Sequence, residues 1–166
     1  MRAAEQLEGV GPEIRLAQIL IHRGRFEDAD DMLSSAIEAF RRQDQRMLVL
    51  EATAILSDCK LRTGAADEGL ALLNTAFEEA GADAEFARPV IAPYRARALA
   101  AAGREEEAAA ELLSALDAAI EQHLPYEEAM IRLARIDLEK TAGRAPDPED
   151  LSGVSRVYEQ LGIIGT

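Results

Sequence analysis

Tryptophan is absent and aromatic residues of any kind make up 4% of the chain, so a core built on large ring contacts is excluded. The single cysteine, Cys59, allows no internal disulfide, and neither His22 nor His123 has a second metal-type ligand at useful spacing. Those two shortages argue against a disulfide-stapled secreted scaffold and a zinc module. Lysine is limited to Lys60 and Lys140; the other 16 bases are arginine, and 31 acids bring the formal charge to −13. That balance opposes nonspecific binding to nucleic acid. No apolar run approaches a membrane span, and Met1 to Gly11 is too polar for a signal peptide, so a cytoplasmic protein with no membrane contact is expected. A glycine-rich phosphate loop and any Ser/His/Asp pattern are also lacking. Catalytic residues, a cofactor and a metal site are therefore not expected, and neither is an enzyme.

What the chain has in quantity is alanine, 32 of 166 residues, within a 48% apolar share. This favours helices packed closely through small side chains, in a single domain spanning 1–166. Internal repetition is visible. From Gly24 the chain reads G-R-F-E-D-A-D-D-M-L-S-S-A-I-E, from Gly64 G-A-A-D-E-G-L-A-L-L-N-T-A-F-E, and from Gly103 G-R-E-E-E-A-A-A-E-L-L-S-A-L-D. Each glycine is followed by acids, a small residue five on (Ala29, Gly69, Ala108), leucine nine on (Leu33, Leu73, Leu112) and alanine twelve on (Ala36, Ala76, Ala115). Gly143 continues the spacing, with intervals of 40, 39 and 40 residues.

Apolar residues flank each glycine at spacings of three and four: Ile14, Ala17, Leu20 and Ile21 before Gly24, then Phe26, Ala29, Leu33, Ala36, Ile37 and Phe40 after it. The unit is a helical hairpin hinged at glycine, its second helix opened by acids that suit the positive end of the helix dipole. The expected helices are 13–23, 26–42, 45–63, 66–80, 86–102, 105–122, 126–141 and 148–161, in repeats of about 13–43, 44–82, 83–123 and 124–161. Pro125 and Pro148 suit a first helical turn, the latter behind Asp147 as a cap. Pro93, four residues after Pro89, predicts a kink or a late start in the fifth helix. The stretch 81–88 is the loosest joint.

This pattern resembles the tetratricopeptide repeat, on the residues Leu16 and Ala17, Leu56 and Ser57, the hinge glycines, and Ala29, Ala36, Ala76, Ala108 and Ala115. The resemblance covers about Glu13 to Leu161 and implies an all-α, right-handed superhelical solenoid of four hairpins. The period departs from the usual ~34 residues, and the proline that closes each unit is missing after the first two repeats. Longer repeats of this kind are similar to the sensor arm of maltose-regulator-like transcription activators with a LuxR-type DNA-binding domain. They are also similar to the helical tails of ATPase-coupled class III nucleotidyl cyclases. The stretches Leu124 to Ala129, Arg132 to Ala134 and Tyr158 to Gly162 look like the closing repeat of such tails. Arg2 to Leu7 reads as the last turns of a preceding helix. The chain is accordingly expected to be a segment of a longer protein with neighbouring domains, or a short one that docks or dimerises end to end.

In this family the first helix of each pair lines the concave surface. The resemblance therefore implies a groove formed by Arg15, Gln18, His22, Asp58, Arg62, Tyr94, Arg97, Asp137 and Lys140. Bases outnumber acids on those inner helices although the chain is acidic. Two readings stay open: a groove for an acidic or phosphorylated segment, or arginines that balance acids within and between repeats. Ile14, Gln18 and Ala54 stand where some family members carry a clamp for a terminal carboxylate, so that clamp is not expected. Acid pairs such as Glu78-Glu79 and Glu105-Glu106 diverge into solvent on a helix and do not suit acid/base catalysis. Cys59 reads as a small packed residue and the two histidines as structural or exposed. The expected function is a non-catalytic scaffold that binds a protein or peptide segment, as the arm of a bacterial signalling or transcription regulator. The alternatives are an effector-sensing domain for a small molecule, a free-standing chaperone or adaptor, and a cryptic hydrolase.

Overall fold

The computed structural model describes residues 2–162, with side chains from Pro12 onward. Among these residues every regular element is helical and no strand is present. The helices are α1 (Arg2–His22), α2 (Phe26–Arg42), α3 (Arg46–Arg62), α4 (Ala66–Ala80), α5 (Ala84–Ala101), α6 (Glu105–Glu121), α7 (Pro125–Thr141) and α8 (Pro148–Gln160). Two expectations about boundaries are corrected. Arg2 to Leu7 belong to α1 itself, which carries Pro12 inside it, and α5 starts earlier than expected and runs unbroken through Pro89 and Pro93. An interior proline removes one hydrogen bond and strains the turn before it, a cost that tertiary packing can meet. In α5 both prolines are buried.

Six helix ends share one turn. The residue just past the helix takes a left-handed conformation: Gly24, Asp44, Gly64, Gly103, His123 and Gly143, with φ between +54° and +83°. The next residue donates its N–H back across that turn, Arg25 to the Leu20 carbonyl at 2.8 Å, Gln45 to Phe40 at 2.9 Å and Leu124 to Ala119 at 2.9 Å. Each turn thus satisfies carbonyls that a helix end leaves without partners. The left-handed residues recur at intervals of 20, 20, 39, 20 and 20. The structural period is therefore about half the period visible in the glycines, because Asp44 and His123 fill alternate turns.

The end of α4 breaks the rule. Gly81 combines φ +58° with ψ −126°, and a short 3-10 turn, Gly81–Asp83, leads into α5. The chain divides there into two compact units, Met1–Ala84 and Glu85–Thr166.

In the first unit α3 packs against α1, α2 and α4 around Leu33, Leu50, Ile55 and Leu73. The repeated small residue marks the closest approach. A Cβ on Gly69 would stand 3.0 Å from the Ser57 Cα, so α4 lies almost on the backbone of α3. The leucine and alanine four and seven residues further on complete the same buried stripe. In the second unit α7 packs against α6 and α8, with Leu112, Ile131 and Val157 buried; Ile91 and Leu99 are among the buried residues of α5. At α8, Asp147 caps the helix by accepting from the Glu149 N–H at 2.8 Å, and Gly153 lies under the Arg132 guanidinium, where a Cβ would stand 2.5 Å from Nε.

Two stability predictions follow from the turns and from Gly153. His123→Gly should stabilise the protein by about 0.5–1 kcal/mol, since it removes a left-handed cost and incurs a smaller glycine entropy cost. Urea denaturation of wild type and variant measures the difference. Gly153→Ala gains about 0.5–1 kcal/mol of helix propensity but should be destabilising on balance, because the methyl pushes the Arg132 guanidinium off Glu128 and Asp150, and the loss should vanish in an Arg132→Ala background. An equal penalty in both backgrounds would mean that the guanidinium is not what the added methyl meets.

Candidate partner-binding groove

The second unit holds a groove between α5 and α7. Pro89, Val90, Pro93, Tyr94 and Arg97 recur along one side of α5 at helical spacing and form one wall. Tyr126, Met130, Leu133 and Asp137, at spacings of four, three and four on α7, form the other with Glu127 and Ala134. The cavity between them measures about 250 Å³. Two proline rings belong to the α5 wall, and Pro125 opens α7. The Arg97 guanidinium carbon lies 5.1 Å from the centre of the Tyr94 ring, and its Nε donates to the Pro93 carbonyl at 3.3 Å. The cation is thus held over the electron-rich ring face. Tyr126, 55% exposed, offers a ring and hydroxyl at the mouth.

Of the residues named from sequence, Tyr94, Arg97 and Asp137 line this groove together. Lys140 is exposed on α7 one turn past Asp137 and is not part of the lining. The other five belong to the first unit. Arg15, Gln18 and His22 follow one another along α1, and Asp58 and Arg62 lie one turn apart on α3, where the Arg62 Nε meets the Asp58 carboxylate at 3.1 Å. Sequence reading passed over Tyr126, Met130, Leu133 and the two proline rings. Their helical spacing was legible, but an apolar stripe on α7 reads equally well as core.

Most inner-helix bases meet carboxylates of their own unit. Glu111 on α6, 9% exposed, accepts from Arg88 at 3.2 Å and Arg95 at 2.9 Å, both on α5. Asp150 on α8, 2% exposed, accepts from Arg132 at 3.1 Å and Arg135 at 3.1 Å, both on α7. Lys60 on α3 bridges Asp30 of α2 at 2.6 Å and Glu68 of α4 at 3.2 Å, and its hydrogen bond to Asp30 raises its pKa above the usual lysine value. Of the two readings of these bases, balance between helices describes Lys60, Arg88, Arg95, Arg132 and Arg135. The acid pairs named from sequence behave as surface charges: Glu78, Glu79, Glu105 and Glu106 are all exposed, with Glu79 held by Arg41 at 3.0 Å.

A wider depression of about 750 Å³ lies between α1 and α2 in the first unit, with Leu16, Leu20, Met32 and Ala39 in its lining. It contains none of the nine groove residues expected from sequence. Among the described residues no helix is long and apolar enough to cross a membrane, and no three His, Cys, Asp or Glu side chains are grouped as metal ligands. Comparison with known proteins gives no match: no family model, curated protein or solved structure is similar to this chain.

Cys59 lies on α3, 1% exposed, with its thiol donating to the Phe26 carbonyl at 3.4 Å. Burial, assisted by the Asp30 charge, pushes its pKa above the ordinary thiol value. The thiolate is the reactive form, so the native thiol should resist a disulfide reagent such as dithionitrobenzoate at pH 8 and react at once in denaturant. Rapid labelling of the folded protein would contradict that burial.

Proposed function

We propose that this chain is a non-catalytic interaction module in which each unit stacks two tetratricopeptide-like hairpins in the manner of a right-handed solenoid. The α5/α7 groove presents its binding surface to a peptide segment of a partner. The observation that carries the reading is the convergence of Tyr94, Arg97 and Asp137, which the family resemblance placed on the concave face, on one cavity with Tyr126 and Met130. A small cavity with aromatic and arginine groups at its edge suits one anchoring side chain of a protein partner. At about 250 Å³ it falls below the ~300–1,000 Å³ usual for small-molecule sites, which favours a peptide over a metabolite. The recurrent turns and the packing of α3 on α1, α2 and α4 support hairpin stacking. The resemblance to repeats of large bacterial regulators supports a role as the arm of such a protein.

The test is selection of a displayed random dodecapeptide library against the full chain. Peptides should be enriched, and their affinity should fall about tenfold or more with Met130→Glu and with Tyr126→Ala, the range expected for anchor contacts. Thermal unfolding of both variants should match wild type. Failure to enrich peptides, or peptides that bind both variants unchanged, would overturn the groove as the binding surface.

A further inference from the structure

We propose that the α5/α7 groove selects an extended basic segment of the pattern basic, any, large apolar, any, basic, a specificity that rests on the interaction-module reading above. The apolar position follows from volume. At roughly 250 Å³ the cavity has room for one large side chain against Pro93, Met130 and Leu133.

The basic positions follow from charge and spacing. Glu127 and Asp137 both belong to the lining and lie ten residues apart on α7. A helix rises 1.5 Å per residue, so the two carboxylate-bearing positions stand about 15 Å apart at opposite ends of the groove. An extended chain covers that distance in about four residues. In an extended chain, positions one, three and five also share a face. A segment that seats its central side chain therefore directs its first and fifth toward Glu127 and Asp137. The cation of the lining, Arg97, is stacked on Tyr94 and bonded to the Pro93 carbonyl on the opposite wall. The surroundings reinforce the preference: Glu85–Thr166 carries 15 acidic against nine basic side chains, and the chain as a whole is at −13. Such a field draws basic segments and repels acidic ones.

The absence of tryptophan from the chain makes the test direct, because the indole of a peptide is then the only one in the sample. Three capped pentapeptides are titrated at physiological salt: lysine-serine-tryptophan-serine-lysine, the same with glutamate at both ends, and the lysine peptide with leucine in place of tryptophan as a competitor. The lysine peptide should show a blue-shifted, saturable emission, displaced by the leucine peptide, and the glutamate peptide should bind about tenfold weaker or less. The double variant Glu127→Gln, Asp137→Asn should lose about the same factor for the lysine peptide and abolish the difference between the two. Equal binding of both peptides to wild type, or lysine-peptide binding unchanged in the double variant, would overturn the charge selection. If neither peptide binds up to about 1 mM while library-selected peptides still bind through Met130, the basic pattern is wrong and the module reading stands. If the selected peptides fail as well, both fall.

Discussion

The left-handed residue at the end of each helix is the constraint on which the rest depends. A helix leaves its last carbonyls without partners, and here a single residue with positive φ turns the chain so that its own N–H and that of the next residue bond back to them. Because the turn is short and its geometry repeats, each helix reverses onto its predecessor in the same way. One register of small residue, leucine and alanine then serves the hairpins hinged at Gly24, Gly64 and Gly103. That turn is replaced at Gly81, close to where the chain divides into two compact units.

Within each unit, charge adds to the contacts of buried leucine, isoleucine and alanine that hold the helices together. Glu111 and Asp150 are buried acids that each bind two arginines of the preceding helix, and Lys60 bridges acids on both sides of α3. Breaking one member of such a set leaves a charge without its partner in a poorly solvated place, which makes these contacts demanding of geometry. Gly153 meets that demand by leaving room for the Arg132 guanidinium against α8. The arginines are consequently part of the architecture, and the groove between α5 and α7 is bounded more by rings and carboxylates than by free cations.

Most helix boundaries were legible because helical spacing, acids at helix starts and the proline and aspartate at Pro148 and Asp147 all act locally. The fifth helix was not, since local rules count the cost of Pro93 following Pro89 without the packing that buries both rings. The half-period was hidden for a related reason: aspartate and histidine can take the left-handed turn, but nothing local distinguishes Asp44 or His123 from the same residues elsewhere. At the groove, Tyr94, Arg97 and Asp137 could be named by projecting a repeat, whereas Tyr126 and Met130 required knowing that their face of α7 is open to solvent.

The sequence by itself determined the all-helical class, the hairpin, its glycine hinges and the buried faces of α1, α2, α4 and α6, because each of these is set by interactions between residues a few positions apart. Only the tertiary structure decided which arginines are bound to acids and which stripe on α7 faces a cavity. It also decided where the run of like turns ends. Those outcomes depend on side chains brought together from separate helices, and on how closely Gly69 and Gly153 allow their neighbours to approach.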